Sequence, residues 1–96
     1  MFAYIVVDSK IIDPEQQELY RQLAAPAVQK YGGEYLARGG KLSVKESKRG
    51  IPVRLVVLKF PSYEQAEIFY NSPEYQEALK LSDKADERTF SIIEGI

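Results

Sequence analysis

The chain contains no cysteine, no histidine and no tryptophan. Without cysteine there can be no disulfide, no thiolate metal site and no cysteine nucleophile. Without histidine the chain lacks the side chain that most often serves as a general base near neutral pH and as a nitrogen ligand for zinc or haem iron. We therefore expect no tightly bound metal, haem or other cofactor, with carboxylate-bound Mg²⁺ as the one alternative that stays open.

The sequence also has little net charge and no long apolar stretch. With 13 basic and 14 acidic side chains its formal charge is -1, so no strong field would attract a nucleic acid. The pattern predicts neither a transmembrane helix nor a signal peptide. We expect a cytoplasmic protein without nucleic-acid or membrane partners.

Two unbroken apolar runs stand out, Ala3 to Val7 and Leu55 to Leu58. Successive side chains of a strand point to opposite faces of its sheet, so an unalternating run is typical of a strand covered on both faces. With 96 residues and 45% hydrophobic content, the chain fits one domain over residues 1–96.

Helix signals fall between the strand signals. Asp13 and Gln16 have the spacing of a capping box around Pro14, and Ser62 and Gln65 repeat it. Pro26 predicts a kink or short break near Ala25 in the first helix. The dipeptide at 72–73, Ser-Pro, restarts the second helix.

The elements follow the order β-α-β-β-α-β, which is a ferredoxin-like α+β fold with a four-stranded antiparallel sheet and the helices on one face. The second strand begins at Glu34 and continues beyond Gly39-Gly40 through the alternating residues 41–45, followed by a turn at 46–50. The other predicted strands are residues 2–7, 53–60 and 88–94. Strands one and three should be central, because they carry the apolar runs.

The two helices of one chain can cover only one face of such a sheet, so the second face needs a partner. A standard interface would gain roughly 24 kcal/mol gross from apolar burial, against an association cost of about 4–15 kcal/mol or more. We therefore expect a homodimer whose sheets pack face to face as a dimeric α+β barrel and enclose a space between them.

Four segments carry a family resemblance: residues 32–40 (GGEYLARGG), 58–62 (LKFPS), 70–75 (YNSPEY) and 94–95 (EG). In this order they resemble the domain-of-unknown-function 1330 family of the dimeric α+β-barrel superfamily. The resemblance implies the ferredoxin-like fold and the dimer, and no established activity. Relatives in the superfamily include cofactor-independent monooxygenases, isomerases and haem-degrading enzymes, which is an analogy of fold only.

Six residues are candidates for a ligand site. Arg38 precedes two glycines, where a guanidinium could bind a carboxylate at two points; the simpler alternative is pairing with Asp8 or a nearby glutamate, or solvation. Asp8 and Lys59 end the central strands, where charges are usually solvated. The other candidates, which could equally be core or interface residues, are Tyr4, Tyr35 and Tyr70.

These observations favour a small homodimer with a pocket for a small organic acid or aromatic metabolite, either a cofactor-independent enzyme or a non-catalytic binding or regulatory module. A dimeric scaffold without a pocket is the third hypothesis. The sequence identifies neither a catalytic base nor a catalytic residue of any other kind.

Overall fold

A computed structural model describes residues 1–96 as one β-α-β-β-α-α-β unit. The sheet has the strand order β2-β3-β1-β4, and all neighbouring strands are antiparallel. This confirms the ferredoxin-like fold and the central position of the two apolar strands. The elements are β1 Ala3–Ile11, α1 Pro14–Lys30, β2 Glu34–Arg38, β3 Leu55–Phe60, α2 Tyr63–Tyr70, α3 Pro73–Ala85 and β4 Asp86–Glu94.

The helices begin where the capping signals predicted. Side chains of Asp13, Ser62 and Ser72 each accept a hydrogen bond from a backbone N–H of the first turn, which satisfies donors that have no partner inside the helix. The stretch predicted as one restarted helix is two helices, α2 and α3, separated at the Ser72 cap. None of the helices is long and apolar enough to cross a membrane.

The predicted break near Ala25 is wrong, because α1 continues through Pro26 to Lys30. Pro26 lies on the exposed side of the helix, so its ring removes one backbone hydrogen bond without disturbing the packed side. Ala24, Ala27 and Val28 are buried on that packed side. Tertiary packing of this face outweighs the local cost of the proline.

The predicted continuation of the second strand is also wrong. β2 ends at Arg38, and residues 39–54 contain neither helix nor strand. The strand at 41–45 therefore does not form, and the bend at 48–49 lies within a long loop instead of a hairpin turn. The pairing of β2 with β3 ends at Gly39, which has a φ of 65° and donates its N–H to the carbonyl of Leu55 at 2.9 Å. Pro52, which precedes β3, has no backbone N–H with which to extend the pairing of that strand on its other edge.

The sheet buries one face only. Along β1 and β3 the side chains alternate between buried residues under the helices and half-buried residues on the opposite face, which we call the open face. The helix-side core is built from Ile5, Val7, Val56, Leu58 and Phe60. On the open face the apolar side chains of Val6 and Val57 are half-buried within the single chain.

Candidate functional site

A cavity of about 50 Å³ lies between the sheet and α1. One water needs roughly 10–15 Å³ of such space, so the cavity can hold several waters or a small organic molecule. Its floor is apolar and includes Val7, Val56 and Leu58. This cavity lies on the helix side of the sheet, whereas the space expected between two facing sheets would lie on the opposite side.

A bulge in β2 places two candidate residues on the cavity side. Tyr35 lies opposite Leu58 and Arg38 lies opposite Val56, with the register shifted between Tyr35 and Ala37. In a regular strand, residues three apart would point to opposite faces. The extra residue of the bulge restores them to the same face, so both side chains line the cavity.

Three arginines converge at the same end of the sheet. Ser9 donates its N–H to the carbonyl of Arg54 at 2.9 Å and lies opposite Arg88 in the ladder. Arg38 lies opposite Val56, two residues beyond Arg54 in the chain. All three guanidinium-bearing side chains line the cavity, although they come from three different parts of the chain.

Arg88 is neutralised within the protein. Its Nε lies 2.9 Å from Oδ1 of Asp86, and the side chains are only 11% and 1% exposed. The Ser9 hydroxyl donates to Oδ2 of the same carboxylate at 2.6 Å. Burial opposes the charged form of Arg88, but Tyr20 and Asp86 together hold its pKa above the usual range. This buried pair is therefore a fixed structural group in the cavity wall.

Arg88 also organises two tyrosines. Its Nη1 donates to the hydroxyl of Tyr20 at 2.9 Å and to that of Tyr75 at 3.3 Å. The two hydroxyl oxygens are 2.8 Å apart. Burial, reinforced by Tyr20, raises the pKa of Tyr75, so this phenol keeps its proton at any physiological pH.

Arg38 and Arg54 have no acidic partner in the chain. The guanidinium carbon of Arg38 lies 4.6 Å from the ring centroid of Tyr35, a cation–π contact. Arg54 packs against Gly39, where an added Cβ would lie 2.6 Å from its Nε. Arg21, which also lines the cavity, instead pairs with Glu18. The cavity thus has two positive charges that no carboxylate of this chain balances.

Only two of the six candidate residues, Arg38 and Tyr35, line this cavity. Tyr4 and Lys59 are cross-strand neighbours on the open face, where Lys59 lies over the Phe2 ring. Asp8 is on the same face and accepts a hydrogen bond from the N–H of Val53 at 3.3 Å.

The sixth candidate, Tyr70, packs against aromatic rings. Its centroid lies 5.5 Å from that of Tyr75 and 5.1 Å from that of Phe90. It borders a shallow groove beside β4 that is separate from the arginine-lined cavity. The predicted set of six is therefore split between three places.

Several residues that line the cavity carry no functional signal in the sequence, including Gln17, Tyr20, Arg54 and Arg88. Tyr20 belongs to the apolar stripe of α1, so its pattern indicates core. Arg88 and Asp86 are two apart in β4, and the period of a strand puts both on one face. The contact of Arg88 with Tyr20 of α1 is not visible in a local pattern. No group of acidic side chains comes together that could hold a metal ion.

Comparison with known families gives one match, to the model described as a domain of unknown function, DUF1330, over residues 2–96. The chain belongs to the DUF1330 family. No curated protein matches this DUF1330 chain.

Solved structures share the fold of this DUF1330 protein at low sequence identity. The RPA0582 protein of unknown function from Rhodopseudomonas palustris is 15% identical with a TM-score of 0.75, covering 99% of this chain and 82% of that one. A dimeric protein of unknown function with a ferredoxin-like fold from Bacteroides fragilis is 13% identical with a TM-score of 0.55, covering 98% and 96%. An antibiotic biosynthesis monooxygenase is 18% identical with a TM-score of 0.52, covering 100% and 99%. At these identities the likeness concerns the fold alone.

Proposed function

We propose that this DUF1330 protein binds a small organic carboxylate in the cavity between its sheet and α1. The single observation that carries the proposal is the pair Arg38 and Arg54, two cavity-lining guanidinium groups without an acidic partner. Guanidinium groups match the two oxygens of a carboxylate geometrically. The apolar floor of the cavity suits the carbon skeleton of such an acid.

A binding function is better supported than catalysis. A general base would need a group that is unprotonated and within reach of the ligand. The only acidic side chain that lines the cavity is Asp86, and its oxygens already accept from Arg88 and Ser9. The phenol of Tyr75 has a raised pKa and holds its proton. We therefore favour the binding module over the enzyme, and the presence of a cavity argues against a scaffold without a pocket.

The test is calorimetric titration of the protein with propionate and benzoate. Arg38→Gln and Arg54→Gln each remove one charge-assisted hydrogen-bonding group, so each should weaken binding about 10-fold or more. Arg49→Gln is the matched control, because Arg49 is exposed and does not line the cavity, so its loss should change the affinity less than about threefold. Equal affinities of the wild type and both cavity variants would contradict the proposal.

We also propose that the protein is a homodimer formed through the open face. Val6 and Val57 lie next to each other there in β1 and β3, and Ile93 of β4 is 59% exposed. A contiguous apolar patch on a sheet rarely stays in water. The similar Bacteroides fragilis structure is itself described as dimeric, which supports the same expectation for this chain.

Sedimentation velocity at micromolar concentration tests the dimer. The wild type and Gln29→Asp, a control on the helix layer, should sediment as dimers. Val57→Asp buries a charge in the expected interface and should give monomers. A monomeric wild type would contradict the dimer proposal and would leave the cavity proposal standing.

A further inference from the structure

One of the two hydroxyl protons of Tyr20 and Tyr75 has no hydrogen-bond acceptor in the protein. Both oxygens accept from Arg88, at 2.9 Å and 3.3 Å. A single hydrogen bond joins the two hydroxyls, and it uses one of their two protons. Neither hydroxyl has any other acceptor in the protein, so one O–H has no acceptor among the side chains around it.

That remaining proton belongs to Tyr20. Tyr75 is only 1% exposed, and an unsatisfied donor in a fully buried residue carries the largest desolvation cost. Tyr75 therefore donates to Tyr20 and satisfies its own proton. Tyr20 is half-buried and lines the cavity, so its O–H is the one that can donate to a molecule bound there.

A hydrogen-bond acceptor without a partner lies one helical turn away from Tyr20. The Oε1 atom of Gln17 is buried and accepts no hydrogen bond, although buried oxygens in proteins nearly always do. Gln17 and Tyr20 are three residues apart on α1, which places them on the same side of the helix. Both line the cavity. This wall therefore combines a free donor and a free acceptor.

We infer that Tyr20 and Gln17 bind a hydroxyl group of the ligand, and that the ligands of this protein are small hydroxycarboxylates. A hydroxyl both accepts and donates, so it can accept from Tyr20 and donate to Gln17. The carboxylate of the same molecule would lie against Arg38 and Arg54. This inference rests on the proposed function and adds the chemical class of the acid.

The experiment compares acids that differ only by a hydroxyl group. The probes are lactate and propionate, 3-hydroxybutyrate and butyrate, and 4-hydroxybenzoate and benzoate, each titrated calorimetrically. In at least one pair the hydroxy acid should bind about 10-fold or more tightly, because its partner leaves Gln17 and Tyr20 unsatisfied. Equal affinity within all three pairs would overturn this inference alone, whereas no binding by any of the six acids would overturn the proposed function and this inference with it.

Variants separate recognition of the hydroxyl from stability. Tyr20→Phe and Tyr75→Phe each delete one hydroxyl of the same hydrogen-bonded pair, but only Tyr20→Phe should reduce the preference for the hydroxy acid to less than about threefold. Gln17→Met should also remove the preference. Since its oxygen has no partner to lose, Gln17→Met should leave the melting temperature of the ligand-free protein unchanged or higher. A preference that survives in both Tyr20→Phe and Gln17→Met would overturn the assignment.

Arg38→Gln provides the complementary control. It should weaken both members of each pair by a similar factor and leave their ratio as in the wild type, because it removes a contact to the carboxylate that both acids share. If Arg38→Gln abolished the ratio while Tyr20→Phe preserved it, the hydroxyl would be bound by the arginine and the inference would be wrong.

Discussion

Replacing Arg88 by methionine tests whether the buried charge network in the cavity wall organises this end of the domain. The substitution keeps much of the side-chain volume but leaves the Asp86 carboxylate, 1% exposed, without its countercharge. Removing one partner of a buried pair typically costs about 3–5 kcal/mol. Tyr20 and Tyr75 also lose a shared donor, so we expect the upper part of this range.

The same substitution at an exposed pair gives the scale for comparison. Arg21 and Glu18 have side chains 44% and 50% exposed, and solvent screens such pairs so that they contribute little to stability. Total stability of a small domain is about 5–15 kcal/mol, so Arg88→Met removes a large share and Arg21→Met very little. The upper part of the range, about 4–5 kcal/mol, corresponds at about 4–8 °C per kcal/mol to a melting temperature lowered by at least about 16 °C in Arg88→Met.

Urea denaturation measures both variants. The midpoint should fall strongly for Arg88→Met with an unchanged slope, which indicates lost stability and not a changed denatured state. The double variant Asp86→Leu/Arg88→Met should recover much of the loss, because it leaves no unpaired charge. A loss of stability in Arg88→Met no greater than that in Arg21→Met would contradict a structural role for the buried charge network.

Two further predictions concern stability. Hydrogen bonds from Lys30 and Tyr31 lower the pKa of Glu74 to about 2. The stability that ionised Glu74 contributes is therefore present above the ordinary pKa of 4.5 and is lost as the pH falls toward 2. Melting curves should show the wild type losing its advantage over Glu74→Gln across that window, and a constant difference would contradict this. Gly33→Ala should lower the melting temperature, because the added Cβ would lie 2.8 Å from a Val28 methyl group. Gly40→Ala creates no such contact and is the control. Equal changes in melting temperature for the two substitutions would refute the clash.

The sequence predicted those parts of the fold that depend on local signals. Capping at Asp13 and Ser62 depends on side chains and backbone donors a few residues apart, and the apolar runs mark the central strands wherever they pair. The end of β2 was not predicted, because alternation at 41–45 resembles a strand whether or not a partner strand reaches it. β3 begins only at Leu55, so that segment has nothing to pair with.

The site was predicted only in part for a similar reason. Arg38 stands out beside its glycines, but its orientation depends on the β2 bulge, which appears only in the register against β3. Ser9 and Asp86 are 77 residues apart in the chain, and Tyr20 and Arg88 are 68 apart. Contacts of this kind depend on how the elements pack together, which no local pattern encodes.

A crystal structure with 3-bromopropionate would show whether the arginine-lined cavity binds small carboxylates. The anomalous signal of bromine locates the ligand without ambiguity. We expect one bromine peak between the sheet and α1, with the carboxylate in contact with Arg38 and Arg54. Bromine peaks confined to the open face of the sheet, with none in the cavity at saturating ligand, would contradict it.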